Sequence, residues 1–157
     1  MGGTRVAHGM TMLTAQDTSK NLRRPSRQPG RAPRVLIADD DPEMRRMVSD
    51  TLKKDGYDTV EEPDGGRLLV RVAALYGQRG TVEPIDLIVT DVRMPVCTGI
   101  DIVKGMRDAH WSTPVILMTA FVDDETQRRA NQLGATLFSK PFRLADLRQT
   151  VKEMLAA

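Results

Sequence analysis

Short apolar runs alternate with amphipathic segments along most of this chain. The runs RVLIA, IDLIV, PVILM and TLFS have the length of strands, and the segments between them carry apolar residues at helical spacing. A further strand is predicted at residues 58–61. The full pattern predicts strands at 34–38, 58–61, 85–90, 115–118 and 136–139. It also predicts a helix that begins at residue 42 and four further helices at 65–76, 99–108, 123–133 and 143–155.

The first predicted helix is marked at both ends and along one side. Its apolar stripe, with successive members three or four residues apart or adjacent, consists of Met44, Met47, Val48, Thr51 and Leu52. Asp41 can cap the helix, and Pro42 suits its first position because the missing N–H is not needed there. Gly56 follows the last turn, where left-handed backbone is common.

This alternation of strands and helices predicts an α/β fold with a doubly wound parallel sheet. Each crossover between parallel strands must pass over a face of the sheet, so helices cover both faces. The run IDLIV is almost continuously apolar, which is typical of a strand buried on both sides. In such sheets ligands bind at the carboxyl ends of the strands.

Charge and composition divide the chain into an extension and a folded body. Residues 1–33 carry six Lys or Arg against Asp17 alone, lack apolar periodicity, and end in NLRRPSRQPGRAP. We predict a disordered basic N-terminal extension at 1–33 and one domain at 34–157. An arm that binds nucleic acid or lipid is the alternative for the extension. From residue 34 onward acidic residues outnumber basic ones, twenty to seventeen, which disfavours nucleic-acid binding by the body.

The chain carries no obvious signal for a membrane or for export. No apolar run approaches the roughly 18 residues of a membrane span, and the first residues do not resemble a signal peptide. Cys97 is the single cysteine, which fits a reducing compartment. We expect a cytoplasmic protein without a membrane partner.

Polar residues that can do chemistry come directly after four of the predicted strands. Asp39 and Asp40 follow the first strand, Asp91 the third, Thr119 the fourth and Lys140 the fifth. All of these strand ends meet at one edge of a parallel sheet. Three carboxylates brought together repel unless a cation neutralises them. Ligation by oxygen alone favours a hard ion, and Mg²⁺ suits a site that also holds a phosphate.

A carboxylate at such a site can accept a phosphoryl group. Asp91 can act as the nucleophile if Lys140 and Mg²⁺ neutralise charge on the transferring group, and the Thr119 hydroxyl can donate to a phosphoryl oxygen. Each residue taken singly has an ordinary explanation as a turn, cap, strand or surface residue. Their joint occurrence at successive strand ends favours a functional site.

The matching stretches RVLIADDDPEMRRMV, IDLIVTDVRMPVCTGID, PVILMTA and SKPF resemble the response-regulator receiver domains of two-component signalling. The resemblance covers about residues 34–155 and is carried by several motifs in the family's order. It implies a flavodoxin-like sheet of five parallel strands in the order 2-1-3-4-5, with helices on both faces. It also implies a phosphoprotein that works in a phosphorelay.

The resemblance assigns a role to each acidic residue of the motif. Asp91 would be the phosphoacceptor and, together with Asp40, a ligand of Mg²⁺. Asp39 would bind the ion directly or through water, and the backbone carbonyl of Arg93 would complete the ligands from the protein. Thr119 and Lys140 would contact the phosphoryl group.

The fifth strand departs from the family pattern. The resemblance implies a cis bond between Lys140 and Pro141, but Gly134 lies six residues before Lys140, where many receivers have seven. Besides Thr119, two residues therefore compete as the switch residue. Counting back from Lys140 selects Leu137, which lacks a ring, whereas Phe138 either serves as the switch or packs in the core. We favour core packing.

Two positions near the phosphoacceptor influence hydrolysis in this family, and here they hold Arg93 and Phe121. Because a bulky Phe121 near the phosphoryl group should hinder water, we expect slow self-dephosphorylation.

The sequence therefore predicts a single-domain response regulator that is not an enzyme. Since the chain ends with the fifth helix, we expect output through binding of an unknown downstream protein. A sensor histidine kinase or a histidine phosphotransfer protein would supply the phosphoryl group. An aspartyl-phosphate phosphatase is one alternative, although such enzymes usually carry an acid where this chain has Arg93. A phosphorylation-independent interaction module is the other.

Overall fold

The computed structural model describes residues 29–77 and 83–156, which form a single parallel sheet covered by helices. The sheet order is β2-β1-β3-β4-β5, as predicted for a flavodoxin-like fold. The strands are β1 (Arg34–Ala38), β2 (Asp58–Glu62), β3 (Leu87–Asp91), β4 (Val115–Thr119) and β5 (Thr136–Ser139). The helices are α1 (Pro42–Lys54), α2 (Gly65–Gly77), α3 (Gly99–Asp108), α4 (Asp124–Gln132) and α5 (Leu144–Ala156).

The predicted element boundaries are close to the observed ones, with informative differences. β3 starts at Leu87 and not at residue 85, and it includes Asp91, which pairs in register with Met118 of β4. The prediction ended this strand one residue too early because it looked only for apolar residues. The ladder continues to the peptide N–H of Val92, which donates to the Met118 carbonyl. The candidate nucleophile therefore sits on the sheet itself.

The ends of α1 confirm the predicted caps, and the start of α4 differs from the prediction by one residue. The Asp41 side chain accepts hydrogen bonds from the N–H groups of Glu43 and Met44 at the start of α1. Gly56, just after α1, has a φ of 90°, where a residue with a Cβ would be strained. Asp123, predicted as the first helical residue of α4, is instead its N-cap.

Two apolar clusters lie on opposite faces of the sheet. Alternate residues of each strand point to opposite faces, which explains why the strands are apolar throughout. One cluster joins β1, β3 and β4 to α2, α3 and α4, and the other joins the same strands to α1 and α5. All five residues of β3 are buried, as predicted from the run IDLIV.

The predicted apolar stripe of α1 is wider than the face that the helix buries. Val48 and Leu52 are fully buried, but Met47 is 42% exposed. Ser49 is also fully buried, and its hydroxyl lies 2.7 Å from the hydroxyl of Thr59 in β2. The helix is therefore rotated toward β2, which leaves Met47 of the predicted stripe partly exposed.

The segment just before β1 is tied to the start of β3. The Asp86 carboxylate accepts hydrogen bonds from the Arg31 guanidinium at 2.9 Å and from the Arg34 N–H at 2.7 Å. Arg31 belongs to the predicted extension, and residues 1–28 of that extension lie outside the described residues. Among the helices of the described part, none combines the length and apolar character needed to cross a membrane.

The N-terminus of α3 packs directly under the end of β3. A Cβ added to Gly99 would lie 2.3 Å from the Asp91 carbonyl oxygen, and the Gly99 N–H donates to the Val92 carbonyl at 2.9 Å. Only a residue without a side chain allows this approach. Gly105, later in the same helix, has no atom within 4 Å of an added Cβ.

We expect opposite effects when these two glycines of α3 are replaced by alanine. Gly99→Ala should lower the free energy of unfolding by about 1–3 kcal/mol, because the methyl group meets backbone atoms that must shift. Gly105→Ala should raise it by about 0.5–1 kcal/mol, because alanine loses less entropy in a helix. Urea unfolding of both variants checks the prediction, and a shift of both in the same direction would contradict it.

Candidate functional site

The five residues predicted from the strand ends lie together at the carboxyl edge of the sheet. The Lys140 ammonium is 2.8 Å from a carboxylate oxygen of Asp39 and 2.9 Å from one of Asp91. Carboxylate oxygens of Asp39, Asp40 and Asp91 all lie within 4.8 Å of one another. Thr119 ends β4, next to β5, and its backbone carbonyl accepts a hydrogen bond from the Lys140 N–H at 2.7 Å.

The three carboxylates differ in depth. Asp39 is fully buried, Asp91 is 8% exposed, and Asp40 is exposed at the rim. The Asp41 N–H donates to the Asp39 carboxylate at 2.9 Å, and the Arg45 guanidinium donates to the Asp39 backbone carbonyl at 2.8 Å. The three consecutive aspartates therefore have different positions. Asp39 lies at the buried floor of the pocket, Asp40 lies at its exposed rim, and Asp41 caps α1.

The electrostatics of the pocket leave it negatively charged. Burial raises the pKa of the Asp91 carboxyl, although hydrogen bonds from Lys140 and from the Arg93 N–H act in the opposite direction. Burial by itself would lower the pKa of the Lys140 ammonium, but hydrogen bonds to Asp39 and Asp91 outweigh this effect and raise the pKa. Lys140 is thus held as a cation, and one positive charge faces three carboxylates.

The donor set fits a hard divalent cation. Three carboxylates in reach of one another, with excess negative charge and no nitrogen or sulfur ligand in the cluster, match the oxygen ligation that Mg²⁺ prefers. Asp39, Asp40 and Asp91 could hold such an ion. The main chain of Arg93 lies next to the cluster, because its N–H donates to the Asp91 carboxylate at 3.1 Å.

Thr119 belongs to the site, but its hydroxyl has another partner. It donates to the Phe121 carbonyl and accepts a hydrogen bond from the Phe121 N–H, both at 3.1 Å. This closed turn comes directly after β4. Because the hydroxyl has a single proton, it can donate to another acceptor only if its bond to the Phe121 carbonyl is broken.

The end of β5 has the backbone geometry that the resemblance implied. The Lys140–Pro141 peptide bond is cis. The two competing residues of β5 face opposite sides of the sheet: Leu137 packs against the cluster under α2, α3 and α4, and Phe138 packs against the cluster under α1 and α5. The Phe138 ring meets the Phe142 ring edge to face, with centroids 5.6 Å apart. Both side chains are half-buried, and which of them acts as the switch residue stays a prediction.

The loop between β3 and α3 holds a feature that the sequence did not indicate. Val96 has a φ of 76°, a left-handed conformation that is strained for a β-branched residue, and its side chain is 86% exposed. The loop lies on the start of α2, where a Cβ on Gly65 would be 2.0 Å from the Cys97 carbonyl oxygen. The pair Gly65–Gly66 just after β2 was the one available signal for this close approach.

A second unpredicted feature is a contact between the two residues that flank the pocket. The Arg93 guanidinium lies over the Phe121 ring, 5.6 Å from its centroid. Phe121 is 69% exposed. The sequence placed both residues near the site, but their contact joins two loops that are distant along the chain.

Comparison with known proteins agrees with this geometry. The family model for the response regulator receiver domain matches residues 35–152. The chain is 32% identical over 123 residues to Sporulation initiation phosphotransferase F of Bacillus subtilis, covering 78% of this chain and 93% of that protein. It is 32% identical over 130 residues to Response regulator receiver protein CpdR of Brucella abortus, covering 79% and 98%.

Other relatives are longer, and solved structures share the fold. The chain covers 25% of Regulatory protein AtoC of Escherichia coli, at 37% identity over 123 residues. The structure of chemotaxis protein CheY4 of Vibrio cholerae superposes with a TM-score of 0.66 at 32% identity, covering 80% of this chain and all of that one. The motif residues, the sheet order and these matches lead to one conclusion: the chain belongs to the response-regulator receiver domain family.

Proposed function

We propose that this chain is a Mg²⁺-dependent phosphoryl acceptor that takes a phosphoryl group onto Asp91 and signals by binding another protein. The observation that carries the proposal is the Lys140 ammonium held between the Asp39 and Asp91 carboxylates. It puts a fixed positive charge beside the candidate nucleophile. The adjacent acid Asp40 leaves enough negative charge for a divalent ion.

The transfer step uses residues already in position. Asp39, Asp40, Asp91 and the Arg93 carbonyl would hold Mg²⁺, which when bound supplies positive charge to the transferring group. A carboxylate oxygen of Asp91 attacks the phosphorus of a phosphohistidine. The new P–O bond forms as the P–N bond breaks, and the imidazole leaves with the bonding electron pair. Lys140 neutralises charge on the phosphoryl oxygens.

The signal then depends on Thr119. Its hydroxyl leaves Phe121 and donates to a phosphoryl oxygen, which opens the turn between β4 and α4. This motion shifts an existing equilibrium between two conformations of the face formed by α4, β5 and α5. Leu137 is the candidate for a second switch residue. That face would bind the downstream protein, whose identity the chain does not specify.

The proposed donor is a sensor histidine kinase or a histidine phosphotransfer protein, and the proposed location is the cytoplasm. A relative that this chain nearly spans is named a phosphotransferase, which supports a place in a phosphorelay. We do not propose an enzyme: an aspartyl-phosphate phosphatase would usually have an acid at the position of Arg93. A phosphorylation-independent module is disfavoured because the acid, hydroxyl and amine set is complete and assembled.

Incubation with Mg²⁺ and acetyl phosphate should add one phosphoryl group to the protein, detected by intact mass. Asp91→Asn and omission of Mg²⁺ should each abolish the adduct. Asp58→Asn, a matched change at the opposite edge of the sheet, should leave it intact. Absence of any adduct would favour the phosphorylation-independent module, and continuous consumption of acetyl phosphate without an adduct would favour the phosphatase.

The raised pKa of Asp91 predicts how stability responds to pH and to Mg²⁺. Because the folded pKa exceeds the unfolded one, the folded state binds more protons between the two values, and stability falls as the pH rises through that window. Above that window, and without a metal ion, the buried carboxylate of Asp91 is ionised and lowers the free energy of unfolding. Asp91→Asn should therefore raise the free energy of unfolding by on the order of 1 kcal/mol.

The same measurement repeated with Mg²⁺ supplies the control. Mg²⁺ should stabilise the wild-type protein and Asp58→Asn equally, and it should stabilise Asp91→Asn much less. Urea unfolding at pH 7 with EDTA or with Mg²⁺ distinguishes these cases. A less stable Asp91→Asn protein in EDTA would show that the Lys140 contact outweighs the burial of the carboxylate.

Slow self-dephosphorylation is expected because the bulky side chain of Phe121, two residues after Thr119, should hinder the approach of water to the phosphoryl group. Phe121→Ala should shorten the lifetime of the phosphorylated protein severalfold by admitting water. Val122→Ala, at the neighbouring exposed position, should not change it. The measurement is loss of the mass adduct over time after removal of donor, and a wild-type half-life of seconds would refute the expectation.

A further inference from the structure

Arg93 contacts Asp91 through its backbone and Phe121 through its side chain. Its backbone is fixed two residues after Asp91, since the Arg93 N–H donates to the Asp91 carboxylate at 3.1 Å. Its guanidinium reaches across to Phe121, 5.6 Å from the ring centroid. One residue therefore touches both the β3–α3 loop and the β4–α4 loop.

The charge of Arg93 is not neutralised by a close carboxylate. Among residues 29–77 and 83–156, the ion pairs within 4.0 Å do not include Arg93. Its charge nevertheless acts on Asp123, the N-cap of α4. Hydrogen bonds from Thr126 are the main reason that the pKa of the Asp123 carboxyl is lowered, and the Arg93 charge adds to them.

Phe121 connects this arrangement to Thr119. The two hydrogen bonds between Thr119 and the Phe121 backbone form the turn that must open when Thr119 moves. The guanidinium therefore contacts the side chain of the same residue whose backbone is bonded to the Thr119 hydroxyl.

We propose that Arg93 exchanges partners on phosphorylation, from the Phe121 ring to the phosphoryl group on Asp91, and thereby releases the start of α4. The inference rests on the proposed function. In the unmodified protein Arg93 stacks on Phe121 and favours the closed turn. In the phosphorylated protein the guanidinium pairs with the phosphoryl oxygens, and the turn with Phe121 is free to open.

The relative strengths of the two contacts give the exchange its direction. An exposed cation–π contact favours the state in which Arg93 lies on the Phe121 ring by about two- to fivefold. A charge-assisted contact between a guanidinium and a phosphoryl dianion favours the state in which Arg93 contacts the phosphoryl group by about tenfold or more. The guanidinium of Arg93 therefore prefers the phosphoryl group to the Phe121 ring. Its contact with the ring is weak enough to be replaced.

Beryllofluoride, which mimics a phosphoryl group on a carboxylate, tests the exchange in the full chain with saturating Mg²⁺. Arg93→Met, which keeps the backbone carbonyl but removes the charge, should weaken beryllofluoride binding about five- to tenfold. Phe121→Leu, which removes the ring but stays apolar, should strengthen binding about two- to fivefold. Arg128→Met, a matched change at an exposed arginine of α4, should leave the affinity unchanged.

The double variant decides whether the two residues act through each other. In the Arg93→Met protein, Phe121→Leu should no longer change the affinity, because the stack it would remove is already absent. The amide NMR signals of residues 123–126 should also shift in the unliganded Arg93→Met protein toward their beryllofluoride-bound positions. If the role of Arg93 is purely structural, the effects of Arg93→Met and Phe121→Leu on affinity should be independent of each other. The NMR signals should then not move toward their beryllofluoride-bound positions.

Two results would overturn the inference while leaving the proposed function intact. One is wild-type binding of beryllofluoride that Arg93→Met does not weaken. The other is a Phe121→Leu effect of equal size with and without Arg93. If the wild-type protein binds no beryllofluoride with Mg²⁺ and forms no adduct with acetyl phosphate, the proposed function fails and this inference fails with it.

Discussion

The contact on which the site depends is the Lys140 ammonium shared by the carboxylates of Asp39 and Asp91. It joins the ends of β1, β3 and β5, across sequence separations of 101 and 49 residues. A fully buried carboxylate such as Asp39 is costly to ionise without a partner, and removing one member of a buried pair leaves an uncompensated charge. The same contact therefore joins three strand ends and supplies a positive charge beside the buried carboxylates.

The backbone around the carboxylates can pack this closely because glycine occupies two positions of close approach. Gly99 lets the start of α3 approach the Asp91 carbonyl, and Gly65 lets α2 receive the carbonyl of Cys97. These approaches fix the loop after Asp91 from two sides. In the same loop, the backbone of Val96 has a left-handed conformation, and its side chain is exposed. Strain of this kind persists only where surrounding packing determines the backbone.

The opposite wall of the pocket is held more weakly. Thr119 is buried, but Phe121, two residues later, is exposed and is restrained by two hydrogen bonds and by the Arg93 guanidinium. Such contacts are individually small in water. The buried carboxylates of Asp39 and Asp91 thus face a loop after β4 in which Phe121 is exposed and is held by contacts that each contribute little free energy.

Local patterns were enough to predict the five strands, their helices, the cap at Asp41 and the set of acid, hydroxyl and amine groups. Periodicity and position at a strand end are properties of short stretches of the chain. They did not predict the exposure of Met47, which of the two apolar clusters Leu137 and Phe138 each contact, or the hydroxyl partner of Thr119. These depend on how a helix or loop is rotated against distant residues, which no local pattern records.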